Sequence, residues 1–478
     1  MMYEANYIDG QWLSANSGET LAVVNPATGE TIGTVPNAGQ EETRTAISAA
    51  AKAFASFSLT TASQRADMLH RLHDLILSEQ EDLALMLTRE QGKPLVEARA
   101  EIGASAAYVR WFAEEARRIY GDIIPSPWHD RQLFATKEPI GVVAAITPWN
   151  FPSSMLARKI APAIAAGCTI VAKPATQTPY SALVWADLCQ RAGVPKGVLN
   201  IVTGDPKAIG RELCENPIVR KLTFTGSTQV GKILLQQAAG TVKKVSMELG
   251  GNAPFIVFDD ADLDKAVAGA VAAKFRNSGQ TCVCTNRLYV QDEIYDAFLE
   301  RFVAAVNDLK VGNGLDDGVQ QGPLIDENSV RKVEELVSDA RESGARVVTG
   351  GGRHALGGTF YAPTIIADAN QRMKIAREEA FGPVAPVFRF TTEEEVIESA
   401  NATEYGLAAY FYTKSLGRAF RVSRALEYGI VGVNEGIVTT EVAPFGGVKE
   451  SGVGREGSHY GIEDYLEVKY ISMGGLDG

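Results

Sequence analysis

Cys282 and Cys284 stand one residue apart in "FRNSGQTCVCTNR", residues 275–287, in a chain with only five cysteines. Cys282 follows a helical pattern, "ADLDKAVAGAVAAKFRN", and the turn-forming run "SGQT", which places a thiol on a loop between domains. A lone cysteine is by default a small buried hydrophobe. Here Asn277, Ser278, Gln280 and Thr281 make the flanks polar, and that setting suits a nucleophile. A free thiol, with a pKa of about 8.5, is only slightly ionised at neutral pH and needs a base or a positive field beside it. Glu248, in "SMELGGNAPF", is the candidate base, with a solvated strand end as the plainer reading of that residue alone. Asn150, in "ITPWNFP", is bracketed by Pro148 and Pro152. An amide fixed in this way is the donor a developing oxyanion needs, worth about 2.7 to 4 kcal/mol of barrier, although asparagine is equally an ordinary turn residue. No second cysteine pair and no histidine lies near the two thiols in sequence, so a metal centre is not expected. A reversible disulfide is the better functional reading of the pair.

These groups need elements to carry them. Residues 40–120 repeat apolar positions at three- and four-residue steps, as helices do. From Ile140 short apolar runs alternate with helical ones: "IGVVAAIT", "CTIVAK", "VLNIVTG", "KLTFTG" and "KVSMELGG" are five strands separated by helices. Such alternation predicts an α/β, doubly wound parallel sheet with its ligand beyond the carboxyl ends of the strands. Asn150, Lys173, Gly226 and Glu248 all fall at those ends. "FTGSTQVG" opens a helix on glycine and so offers free N–H groups to a pyrophosphate, although its spacing is not the G-x-G-x-x-G fingerprint. A second alternating series, from "APFIVFD" to "GIVGVN", predicts a second doubly wound α/β domain. Two strand-like segments without local partners, in "GDIIPSPWHDRQLFATKEP" and "IEDYLEVKYISM", are expected to pair with each other or with another subunit. The expected division is 1–119 and 137–250 for a dinucleotide-binding domain, 251–450 for a catalytic domain, and 120–136 and 459–478 for oligomerisation strands.

Composition bounds the partners. The chain has 478 residues and a formal net charge of -12, which repels nucleic acid and anionic lipid, so an anionic ligand must be drawn in by local arginines. The longest strongly apolar stretch, Ile160 to Ala172, has thirteen residues, short of the roughly 18 that a membrane span requires. "MMYEANYIDGQW" lacks the pattern of a secretory signal, and the sparse, odd cysteine count suits a reducing compartment. A cytoplasmic protein with no membrane and no nucleic-acid partner is expected.

Along essentially the whole chain, "PWNFP", "KPA", "FTGST", "MELGGNAPFIV", "GQTC", "EEAFGPV" and "PFGGVKESGVGREG" occur in an order and spacing that resembles the aldehyde dehydrogenase superfamily. "ARKIAPAIAAGCTIVAKPATQTP" and "GIEDYLEVKY" are most similar to its succinate-semialdehyde branch. The resemblance implies that Cys282 attacks an aldehyde, that Asn150 holds the thiohemiacetal oxyanion, that hydride leaves for a nicotinamide, and that Glu248 activates the water that cleaves the thioester. It implies cofactor contacts from Trp149, Asn150, Lys173, Pro174, Ala175, Thr176, Gly226, Ser227, Leu249, Glu379 and Phe381. A neutral side chain at Thr176 beside Lys173 favours NADP, since an acidic one would repel a 2′-phosphate; NAD stays open, because serine is the more usual residue there. Arg158 and Arg276 match arginines that hold a substrate carboxylate, and Thr439 stands where relatives carry a serine, which leaves glutarate semialdehyde as an alternative small-molecule substrate. Cys284 matches a cysteine that in some relatives closes a disulfide with the nucleophile. A homodimer or homotetramer is implied. A cofactor-free cysteine hydrolase is the rival reading from another class; it has no convincing histidine and no use for the nucleotide-type motifs.

Overall fold

Five apolar runs, Val142–Ile146, Thr169–Lys173, Leu199–Ile201, Val219–Thr225 and Lys244–Glu248, pair in parallel. Val142–Ile146 and Thr169–Lys173 are near-continuous apolar stretches, buried along almost their whole length, as strands covered by crossover helices on both faces of a sheet are. In the computed structural model, which describes residues 3–476, the chain starts at Val142–Ile146 and adds the next two strands on one side. It then returns to place the last two on the other side. That reversal opens a crevice outside the carboxyl ends of Val142–Ile146 and Val219–Thr225, where doubly wound sheets bind ligands. Asn6–Ile8 and Gln11–Leu13 extend one edge antiparallel, and Gly452–Val453 pairs with Met247 and Glu248 at the other, making eight strands. Residues 1–2 and 477–478, the outer ends of the first and last expected segments, lie outside the described residues.

Five residues after Glu248 the second sheet begins at Ala253–Val257. Its seven strands run in the order Arg346–Thr349, Thr364–Ala367, Val384–Phe390, Thr285–Gln291, Ala253–Val257, Ala408–Tyr412, Ile430–Val433, all parallel except the first pair. The carboxyl end of Lys244–Glu248 therefore leads into the amino ends of this sheet, where the residues just before Thr285–Gln291 emerge. The architecture is the one the alternation predicts: two doubly wound α/β layers with a small β arm.

In the arm, Leu466–Met473 pairs antiparallel with Gln132–Pro139 along all eight positions, and Asp122–Ile124 adds to the other edge. Several of its apolar side chains face outward, Ile123 at 79% and Val468 at 67% exposure, while Leu133 and Leu466 turn inward. Among the described residues no helix is long and apolar enough to cross a membrane.

Candidate active site

Cys282 lies in the tight connection between the Leu263–Phe275 helix and the Thr285–Gln291 strand. Asn277, Ser278 and Gly279 take φ of 51°, 58° and 74°, the left-handed region that costs a non-glycine residue energy. Tertiary bonds hold them there. Asn277 N–H donates to Glu97 Oε2 at 2.8 Å, and Ser278 Oγ to the Gly322 carbonyl at 2.9 Å. Asn277 Nδ2 donates to the Asn150 carbonyl at 2.9 Å. Gly279 is required by space as well, since a Cβ would stand 2.2 Å from the Gly382 oxygen.

Two cavities meet at this turn, and Cys282 and Met155 line both. The first, about 900 Å³, follows the crevice past Trp149, Asn150, Gly226, Ser227, Glu248 and Leu249 to Glu379 and Phe381. The second, about 720 Å³, is lined by Arg158, Arg276, Phe151, Thr439, Phe445 and Glu97, among others. Residues far apart in the chain thus converge on one sulfur.

Burial pushes the Cys282 thiol up to about 12; the neighbouring Glu379 carboxylate adds to this and Arg158 opposes it. In the free protein it is a thiol and keeps part of its surface open. Glu248 is 2% exposed, and among the described residues neither carboxylate oxygen has a hydrogen-bond partner. Burial, and then the charge of Glu456, hold its carboxyl well above the ordinary range, against the pull of Lys159, Arg158 and Arg455. Asn150 Nδ2 donates to the Gln280 carbonyl at 3.0 Å, and its own carbonyl also accepts from Lys93 Nζ at 2.8 Å. These bonds fix the amide beside the cysteine turn.

Arg158 projects from the fully buried Pro152–Ala166 helix, which starts on Pro152 at its first turn and ends on Gly167 with φ 90°. Its guanidinium lies between two rings, 4.7 Å from that of Tyr108 and 4.4 Å from that of Phe445. Only 3% of Arg158 is exposed, Glu456 stands 3.7 Å from it, and among the described residues Nε and Nη1 have no hydrogen-bond partner. Leaving buried donors unmade is expensive, so the arrangement fits an anion arriving from the cavity. Arg276, half-buried, lies 5.8 Å from the Phe151 ring on the same cavity.

The first cavity has features that suit a dinucleotide. The Thr228–Ala238 helix begins there, with Ser227 as its cap and Gly226 immediately before it. A Cβ on Gly226 would stand 2.4 Å from the Phe224 ring. Trp149 and Phe381 meet edge-to-face at 5.5 Å, and burial pushes the Glu379 carboxyl up to about 7. Thr176 lines a separate groove of about 1260 Å³ with Gln177, Asp326 and Glu327. Lys173, Pro174 and Ala175 line neither that groove nor the two cavities; Lys173 is buried, donates to the Pro174 carbonyl at 2.9 Å, and is lowered by burial to about 8.

Both cysteines of the pair are free thiols. Cys284 Sγ donates to the carbonyls of Ala273 at 3.1 Å and Lys274 at 2.9 Å, bonds that a disulfide to Cys282 would have to break. Among the described residues no group of three or more His, Cys, Asp or Glu is placed to hold a metal.

Sequence reasoning missed Lys93, Glu97, Tyr108, Phe445 and Glu456. Lys93 stands in "QGKP", Phe445 in "PFGG" and Glu456 in "GREG", glycine-punctuated stretches that would have justified a closer look. Glu97 and Tyr108 sit in an unremarkable amphipathic helix pattern and carry no such signal.

The sequence profile of the aldehyde dehydrogenase family matches residues 12–471. The chain is 60% identical to a 3-sulfolactaldehyde dehydrogenase of Pseudomonas putida, over 100% of this chain and 98% of that one. It is also 60% identical to an NADP succinate-semialdehyde dehydrogenase of Escherichia coli, over 98% and 97%. A crystal structure of an NADP-dependent enzyme of E. coli superposes with a TM-score of 0.98 at 59% identity, over 99% of this chain and 98% of that one.

Proposed function

Because this chain belongs to the aldehyde dehydrogenase family, we propose that it oxidises a short ω-carboxylated aldehyde, succinate semialdehyde foremost, to the dicarboxylate with NADP. The observation that carries the reading is the position of Cys282, on the wall shared by a dinucleotide-shaped crevice and a pocket with two arginines. A carboxylate bound at Arg158 and Arg276 brings the aldehyde carbon of a short chain to the sulfur.

The residues divide the chemistry. Cys282 releases its proton to solvent through the open part of its surface and attacks the carbonyl carbon, forming a thiohemiacetal. Asn150 Nδ2 and the backbone N–H of Cys282 bind the oxyanion, the preorganised donors that acyl chemistry needs. Bound NADP supplies the hydride acceptor, and the thiohemiacetal becomes a thioester. Glu248, in the same cavity, takes a proton from the water that cleaves it. Trp149, Gly226, Ser227, Leu249, Glu379 and Phe381 would hold the cofactor. The neutral Thr176, in the run that starts at Lys173, supports NADP over NAD. One further methylene is worth only about 1–3 kcal/mol of discrimination, which keeps glutarate semialdehyde as a second substrate. Absorbance of reduced nicotinamide with succinate semialdehyde and NADP tests the reading; no signal would end it.

Glu248 gives this activity a pH signature. Its carboxyl is raised, so the basic form fills only as pH climbs through that raised value, and turnover should go on increasing with pH beyond the range in which an ordinary glutamate has finished ionising. A glutamate near its usual value of about 4.3 would give a flat profile there. Glu248→Gln should slow turnover by about 10² to 10⁴ and leave one equivalent of reduced cofactor as a burst. A stopped-flow trace without a burst, on a flat wild-type profile, would remove Glu248 from the hydrolytic step.

The exposed arm suits pairing with a second copy, since contiguous apolar surface on one chain marks an interface. Light scattering should return at least twice the mass of one chain; a monomer mass would contradict this.

A further inference from the structure

The Leu95–Glu115 helix turns Glu97, Ala100, Glu101 and Ala104 toward the second cavity. The charges there are matched unevenly. Glu101 has Lys93 Nζ at 2.6 Å with both side chains buried, and Arg158 shares Glu456 with Lys159. Glu97 and Arg276 remain: among the described residues neither has an oppositely charged atom within 4.0 Å. Among the described residues Glu97 accepts one hydrogen bond, from the Asn277 N–H at 2.8 Å.

The groups facing Glu97 are Lys93 and Arg276, which favour its anion, Glu101, which opposes it, and the Asn277 amide. An ionised Glu97 offsets the charge of Arg276 in the pocket where a substrate carboxylate must bind; a neutral one leaves that charge free. We propose that Glu97 is a specificity-determining residue that sets the positive charge offered to the substrate's anionic end, taking up one proton from solvent as the carboxylated aldehyde binds. The inference rests on the ω-carboxylate reading above. Burial already holds the Glu97 carboxyl above the ordinary range, and an incoming carboxylate raises it further. Affinity is then full at low pH and falls once pH passes the free-protein value, with KM rising by up to about tenfold per unit.

The test measures KM for succinate semialdehyde between about pH 6 and about pH 9 in wild type and Glu97→Gln. Glutamine keeps an acceptor for the Asn277 N–H, so the cysteine turn is retained. KM should climb with pH in the wild type and lose that slope in the variant. Calorimetry of succinate binding, in two buffers of different ionisation enthalpy and at a pH on the rising part of the wild-type KM profile, should find proton uptake in the wild type and none in Glu97→Gln. The same KM slope in both proteins, or succinate binding without proton uptake, overturns the proposal. So does an equal change in kcat/KM for butanal, which marks a merely structural role. A wild type that neither binds succinate nor oxidises its semialdehyde defeats the substrate reading first, and this one with it.

Discussion

Cys282→Ala is expected to abolish the formation of reduced cofactor from succinate semialdehyde, by a factor on the order of 10⁴ to 10⁶. The size follows from the nature of the step. Without the sulfur there is no covalent adduct, so one hard oxidation can no longer be divided into hydride loss and hydrolysis. Asn150 and Glu248 cannot compensate, because each acts on an intermediate that no longer forms. The fold should survive: the substitution keeps Cβ, and the turn is held by Glu97, Gly322 and Asn150 rather than by the sulfur. Parallel thermal melts, expected to agree within a few degrees, separate lost chemistry from lost structure. Appreciable turnover in a well-folded Cys282→Ala protein would exclude the covalent mechanism.

Arg158→Met should lower kcat/KM for succinate semialdehyde by about 10⁴ to 10⁵, the penalty for removing the partner of a charged group in a site built for it. The wild-type protein buries this cation with two unmade donors between two aromatic rings. Burial of that kind is costly unless something completes it, and the substrate carboxylate is what the cavity admits. Methionine fills similar space and packs well against aromatic rings, while Glu456 keeps Lys159 as its partner. Butanal, which brings no carboxylate, should lose at most about tenfold. Equal losses for both aldehydes would reduce Arg158 to a member of the buried ionic network. Because Arg158 also pulls the Glu248 carboxyl down, its removal should shift the rise of turnover to higher pH, an effect separable from binding by comparing kcat with KM.

Some of this was legible from local patterns. The central parallel strands of the first sheet, Val142–Ile146 and Thr169–Lys173, show as short apolar runs between helical ones, because a strand covered on both faces has little use for polar positions. Asn150, Gly226 and Glu248 were found for a related reason: strand ends are visible in sequence, and doubly wound sheets present their ligands there. Thr364–Ala367 escaped notice in the proline- and glycine-rich stretch around it. The N-terminal edge strands Asn6–Ile8 and Gln11–Leu13 are three residues each, too short for a period of two to register. Gly452–Val453 is a strand only because Met247 and Glu248 lie beside it.

The amino-acid order by itself determined which reactive groups exist, the α/β class, and the strand ends from which several of those groups emerge, since each depends on neighbours a few positions away. Tertiary structure alone decided their electrical state and their company. The raised Glu248 carboxyl, the unpaired donors of Arg158 and the isolated Glu97 arise from desolvation and from charges on segments distant in the chain. Those effects act through space over a few ångströms, a distance that separation along the polypeptide does not encode.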